Sequence, residues 1–235
     1  MISAINRLYR YLFCRGGHGV HSPFVFDLIT TVIEEKKSYY CYERLSAVRK
    51  KLQKNCDKIK YNNHEFAVNK YVKKFCFSEH DCRLLFRLAN RFKPQTIYAQ
   101  GSDMGLAPLY LTSWSERSDC VVFEPESSVA VVARNIVEKY SSASIEIHVA
   151  DNPEFTGKSI DFIVWNKITV DTFNKLLPSM NDNSIMIISG INSSRKNRDT
   201  WKRICAAPRV TVTIDHYSLG IVFFNPKLHR KTYKN

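Results

Sequence analysis

The sequence predicts an α/β fold: a mostly parallel sheet with helices on both faces, closed by an antiparallel hairpin. Three observations predict it. From Gln95 onward, short apolar runs alternate with helical stretches, the pattern of a parallel sheet covered on both sides. The first of these runs leads through a glycine turn, Gly101 to Gly105, into a helix start. The last two, Arg209 to Asp215 and Leu219 to Phe224, are joined by a short connection, so one strand must run antiparallel to its neighbour.

The front of the chain reads as helical over its first ninety residues. Ile5, Leu8, Tyr9 and Leu12 have helical spacing within Ile2 to Phe13. Arg15-Gly16-Gly17-His18-Gly19 breaks that pattern. At Ser22-Pro23 a helix restarts, because serine caps and proline suits the first helical position. It runs through Phe26, Ile29, Ile33 and Glu34. Tyr40 to Leu52 is a further helix with a basic outer face. Ser78 opens another, with Glu79 and Asp81 where negative charge suits the dipole.

The strands expected next are Thr96 to Ala99, Cys120 to Phe123, Ile145 to Val149, Ile160 to Trp165 and Ser184 to Ile188. Helices over Leu106 to Trp114, Val129 to Tyr140, Val170 to Leu177 and Asp199 to Cys205 separate or follow them. The boundary falls near Phe92 to Gln95. It divides a helical extension or lid, residues 1–93, from a sheet domain, residues 94–235.

Composition narrows the class. At 235 residues and 44% hydrophobic, the chain can bury a core without staples. Seven cysteines lie scattered with no CxxC pair, which argues against a disulfide framework or zinc knuckle and for reduced thiols in the cytoplasm. No apolar run approaches the ~20 residues that span a bilayer. The start lacks the apolar core and cleavage site of a signal peptide. The formal charge is +13, which favours acidic partners such as nucleic acid or anionic membrane. The basic residues are dispersed, however, with clusters at Arg49-Lys50-Lys51, Lys70 to Lys74, Arg195 to Arg203 and Lys227 to Lys234. A solvated basic surface accounts for them more readily than a nucleic-acid motif, and none of the common motifs is present.

The glycine segment carries the functional expectation. Glycines let the backbone turn sharply and approach a ligand, and ligands of open α/β sheets sit beyond the carboxyl ends of the strands. Gly101, Ser102, Asp103 and Gly105 form the turn. Glu124 ends the next strand, where an acidic side chain can accept from both ribose hydroxyls of a nucleoside. Asp151 and Asn152 end the third, where polar groups could meet an adenine edge. Each alone reads as a polar strand end; the three together point to a nucleoside site.

The sequence resembles the class I S-adenosylmethionine-dependent methyltransferases, nearest their catechol O-methyltransferase-like branch. The opening His18-Gly19-Val20-His21-Ser22-Pro23-Phe24-Val25-Phe26 is similar to the N-terminal signature of a bacterial group within it. Arg83 to Leu88, Thr211 to Asp215 and Gly220 to Phe224 also resemble that group. The resemblance implies a Rossmann-like, seven-stranded sheet with an antiparallel C-terminal hairpin. It also implies S-adenosylmethionine as cofactor: Gly101 to Gly105 around its methionine part, Glu124 on the ribose, and Asp151 or Asn152 near the adenine.

Departures from that pattern qualify the activity. Ala99 stands where such proteins usually carry an acidic residue, two positions before the first glycine. Asn166, Ser189-Gly190 and Asn192 stand where metal-dependent members carry aspartates, an Asp-Asp or Asp-Asn pair and a histidine. Hard divalent cations want anionic oxygen, so no metal site is expected. No catalytic residue and no methyl acceptor, small or macromolecular, can be assigned. Three readings follow: a metal-independent methyltransferase, a catalytically inactive protein that kept the fold for binding or scaffolding, and an RNA-binding protein whose basic front and tail steer the partner.

Three further groups keep two readings each. His18 and His21 are either functional, as a base, a lid or part of a metal site with no third ligand nearby in sequence, or loop imidazoles that fix the helix entry, the plainer choice. Trp165 either caps a pocket or fills a cavity. Tyr39, Tyr40 and Tyr42 either pack helices, again the plainer choice, or cover a substrate.

Overall fold

The structure, a computed structural model, describes residues 16–17, 19–151, 159–166 and 168–235. The predicted helix over Ile2 to Phe13 lies outside them, as do His18 and Asn152. Contacts divide the chain into two compact units, Lys37–Glu154 and Met1–Lys36 with Phe155–Asn235.

The unit Lys37–Glu154 begins with helix α2, Tyr40–Leu52, helix α1, Pro23–Leu28, belonging to the other unit. A short hairpin follows, β1 Lys58–Tyr61 against β2 His64–Ala67. Helix α3, Val68–Phe75, leads to α4, Glu79–Phe92. Strands β3 Thr96–Gln100, β4 Asp119–Glu124 and β5 Ser144–Val149 then pair in parallel, in that order. Helix α5, Leu106–Thr112, links the first two strands, and α6, Ser127–Tyr140, the last two.

The hairpin β1–β2 corrects the wholly helical reading of the front. Lys58-Ile59-Lys60-Tyr61 alternates outward and inward, and only Ile59 is buried. Asn62 and Asn63 turn the chain at φ 49° and 62°, a conformation asparagine tolerates better than most residues. The hairpin is tied to the start of α6: the Lys60 amide donates to Ser128 Oγ (3.1 Å) and the Asn62 amide to Glu126 Oε1 (2.9 Å). Helix α4 starts as predicted, with Ser78 Oγ accepting from the Asp81 amide (3.1 Å). It buries Cys82, Leu84, Leu85, Phe86 and Leu88. Tyr39 and Tyr42 pack against Phe86, with ring centroids at 4.9 and 5.5 Å. Helix packing is therefore what these two tyrosines do. Tyr40 is 77% exposed and donates its hydroxyl to the Ser113 carbonyl.

The second unit opens with α1, Pro23–Leu28, capped by Ser22 and extended by a π-helical turn over Ile29–Ile33. Its strands are β6 Ile160–Asn166, β7 Met180–Ser189, β8 Val212–His216, β9 Leu219–Phe223 and β10 Lys231–Lys234. Helix α7, Val170–Leu176, joins β6 to β7, and α8, Arg195–Ala206, joins β7 to β8. Within this unit the strand order is β10-β8-β9-β7-β6. β9 is antiparallel to both neighbours; the other pairs are parallel. The fold class is the expected one, α/β with an antiparallel hairpin near the end. Beyond the seven strands expected from the resemblance, the chain carries one more. The additional one, β10, falls in the basic cluster Lys227 to Lys234; it pairs with β8 and buries Tyr233. Glu34 fastens the two ends of this unit, accepting from the Gly16 amide (3.1 Å) and from Asn235 Nδ2 (2.9 Å).

The described cysteines are free. Among the described residues, no helix is long and apolar enough to cross a membrane.

Helix α8 lies on β9 through a small-to-large fit. A Cβ on Gly220 would stand 2.5 Å from the Trp201 ring. Gly220→Ala should therefore cost about 1–3 kcal/mol through overpacking, read from urea denaturation. Trp201→Leu in the same chain should recover part of that loss. Additive losses would contradict the contact.

Candidate functional site

The glycine turn at the end of β3 is built by two buried carboxylates that hold it from opposite sides. Gly101 has φ 88° and Gly105 φ 85°, both in the left-handed region. At Gly105 a Cβ would meet the Ala133 carbonyl at 3.1 Å and Ile136 Cγ2 at 3.0 Å. The second glycine therefore lets the turn lie close on α6. Between the glycines, Asp103 and Met104 also have positive φ, 51° and 55°. Each such residue costs on the order of 1 kcal/mol or more, so neighbouring contacts must hold them.

Glu124 is the first holder. It is 3% exposed. Its Oε2 accepts from the Ser102 amide and the Ser102 hydroxyl, both at 2.7 Å. Its Oε1 accepts from the Glu126 amide at 3.2 Å. A buried carboxylate is costly unless hydrogen-bonded, and these three donors compensate Glu124. The structure thus brings Ser102 and Glu124 together, at the place the sequence marks for a nucleoside ribose.

Asp103 is the second holder, and it turns away from that pair. Its Oδ1 accepts from the Phe77 amide, at the junction of α3 and α4, at 2.7 Å. Its Oδ2 lies 3.9 Å from Cys82 Sγ. Arg49, also buried, donates to Cys82 Sγ at 3.2 Å and supplies the nearby positive charge. Burial pushes the Asp103 carboxyl up to about 7, against the opposing pull of the Phe77 amide and Arg49. Burial likewise raises the Cys82 and Cys76 thiols well above their usual value. Phe77, Arg49 and Cys82 carry no motif, which is why the sequence did not disclose this anchor.

Met104 is fully buried, and so is Ser102. Gln100, directly before Gly101, has a buried Oε1 with no hydrogen-bond partner, an acceptor the sequence reading passed over. Asp151 is exposed just beyond β5. An aromatic ladder crosses the three parallel strands: Tyr98 stacks with Phe123 at 6.5 Å, and Phe123 with His148 at 5.9 Å.

In the other unit, the positions compared with metal ligands hold each other. The Ser189 hydroxyl donates to Asn166 Oδ1. Asn192 Nδ2 donates to Asp215 Oδ1 (3.1 Å) and to the Tyr217 carbonyl (2.9 Å). These uncharged donors do not fit a hard divalent cation. Trp165 is 5% exposed within β6, in register with Ile188 of β7. Its place is in the packed interior of the strand pair. His21 is exposed, just before the cap of α1.

No family model matches this sequence, and no curated protein sequence matches it. Solved structures do resemble its fold. A methyltransferase from Geobacter sulfurreducens aligns with 82% of this chain and 92% of its own, at TM-score 0.61 and 14% identity. An O-methyltransferase from Bacillus cereus, in complex with SAH, aligns with 82% and 94%, at 0.56 and 15%. An O-methyltransferase from Streptomyces achromogenes involved in tomaymycin synthesis, in complex with SAM, aligns with 80% and 91%, at 0.56 and 14%. The chain therefore has the fold seen in these methyltransferases.

Asp103 gives stability a definite pH dependence. Its carboxyl is raised above the ordinary 3.8. Below about pH 4 it is protonated in both folded and unfolded chains. Between there and about pH 7 the unfolded chain ionises first, so this residue's contribution falls as pH rises, then levels off. Asp103→Asn removes that dependence. Variant stability relative to parent should rise by about 1.4 kcal/mol per pH unit between pH 5 and 6 and less steeply toward pH 7, measured by urea unfolding. A difference independent of pH would contradict the buried, proton-holding carboxyl.

Proposed function

We propose that this chain binds S-adenosylmethionine at the turn Gly101 to Gly105 and acts as a metal-independent methyltransferase in the cytoplasm. The observation that carries this reading is the buried Glu124 carboxylate fixed beside a two-glycine turn at adjacent parallel strand ends. The fold's likeness to proteins solved with SAM or SAH supports it.

The donors present suit such a cofactor. A carboxylate offers about four acceptor sites, and three donors reach Glu124. A ribose hydroxyl takes the place of the Ser102 hydroxyl when that hydroxyl rotates away. Gln100 Oε1 offers an acceptor for the ammonium of the methionine part. Asp151, exposed just beyond β5, offers a polar group for the adenine edge. When bound, the cofactor supplies a methyl group already activated on a sulfonium. The chain's task is then to hold and orient it and to exclude water, since alignment lowers the barrier of such a transfer.

A second reading, a non-catalytic protein of this fold, is favoured by one specific observation. The Glu124 oxygens and the Asp103 carboxylate are engaged within the chain, and Ser102 and Met104 are fully buried. A nucleoside would have to displace at least the Ser102 hydroxyl.

Calorimetry separates the two. The first reading expects saturable heat with S-adenosylhomocysteine below millimolar concentration. Glu124→Gln should weaken binding about tenfold or more, the range of a lost charged hydrogen bond. Ser102→Ala should bind as well as the parent or better, because it frees an acceptor. No heat and no thermal shift at millimolar ligand, on folded protein, would leave the second reading.

A further inference from the structure

We propose that the exposed face of α8, with the neighbouring C-terminal strand, is a docking surface for double-stranded nucleic acid held by its phosphate backbone. Charge is concentrated there. Between Arg195 and Lys234 the chain carries ten basic and two acidic residues, so this stretch supplies most of the net charge of +13. One of the two acids, Asp215, is buried. Helix α8 itself holds Arg195, Lys196, Arg198, Lys202 and Arg203 against Asp199 alone. All five cations are exposed, while Trp201 and Ile204 face inward.

The placement is unfavourable for the helix, which is the reason to read it as functional. Arg195, Lys196 and Arg198 crowd the first turn, which has no acidic residue. Cations there oppose the helix dipole, and a bound anion relieves that opposition. The far end is arranged in the ordinary way: Arg230 Nη2 donates to the Cys205 carbonyl at 3.2 Å and the Ala207 carbonyl at 3.0 Å.

That contact also joins the tail to the helix. Thr232 of β10 hydrogen-bonds Thr213 at 2.9 Å, and both threonines contact the Cys205 side chain of α8. Side chains alternate along a strand, so exposed Lys234 lies on the same side as Thr232 and α8. The cations of α8 span about 12 Å along its axis, enough for two or three successive phosphates, and Arg230 and Lys234 continue them.

The surroundings choose among polyanions. Among the described residues, the exposed large hydrophobic ones are Phe26, Tyr40, Val131 and Val149, none of them on α8 or β10. Single-strand binders stack bases on aromatic side chains, and interfacial helices insert apolar ones into lipid. This face offers neither. Backbone contact with a duplex needs only cations and polar donors.

The test is fluorescence anisotropy with a labelled 24-base-pair DNA duplex, its RNA counterpart, a single-stranded RNA of equal length, and vesicles containing phosphatidylserine. The full chain is compared with Arg195→Glu/Lys196→Glu/Arg198→Glu and with a control of equal charge change, Lys50→Glu/Lys54→Glu/Lys70→Glu. The first variant places acids where the helix dipole favours them, so its fold is preserved, as a thermal melt will show. The proposal expects duplex binding at low salt and a loss of about tenfold or more in the α8 variant. The slope of log affinity against log salt should fall by about 3. The control should retain most affinity. Absence of duplex binding at low salt, equal losses in both variants, or preference for single strands or vesicles would each overturn it.

Discussion

The hydrogen bonds from Ser102 to the buried Glu124 carboxylate are the interaction on which the rest of the site depends. They join the turn after β3 to the end of β4, across two strands that pair in parallel from Thr96↔Asp119 to Gln100↔Phe123. A carboxylate this deep is tolerable only when its lone pairs are used. Its burial and the turn's conformation therefore require each other. Asp103 performs the complementary task on the other side, tying the same turn to the Phe77 amide and, through Cys82, to Arg49 of α2. Together they hold four consecutive φ-restricted or buried positions, Ser102 to Gly105, in one conformation.

The fold was legible because its signals are local and repeated. Each parallel strand is a short apolar run, and the caps Ser22 and Ser78 announce their helices. Two strand features were not legible. The β1–β2 hairpin has four-residue strands inside a helical neighbourhood, and its Asn62-Asn63 turn was its one distinct signal. β10 has a single buried side chain, Tyr233, among lysines and a threonine. Pairing with β8 makes it a strand, and such a non-local cause leaves little trace in four residues.

For the site, sequence position was informative and side-chain direction was not. Glu124 and Ser102 stand at strand ends, where the pattern placed them, and they meet. Asp103 belongs to the same turn, yet its positive φ sends its carboxylate toward Phe77 and Cys82. No local rule anticipates a left-handed aspartate beside a left-handed methionine. Gln100 escaped notice because an orphaned acceptor becomes visible only when its surroundings are known. The uncharged residues Asn166 and Ser189, by contrast, were legible as substitutions, and their mutual hydrogen bond shows the shape the strand ends take without carboxylates.

The central claim is that this turn is a nucleoside seat, opened by rotation of the Ser102 hydroxyl, rather than a self-contained structural lock. The most direct test is a crystal structure grown with S-adenosylhomocysteine. The nucleoside should lie beyond the carboxyl ends of β3 and β4, with a ribose hydroxyl donating to Glu124 and the Ser102 hydroxyl turned aside. A fully occupied Ser102–Glu124 pair at saturating ligand, with no nucleoside density at the strand ends, would contradict the claim.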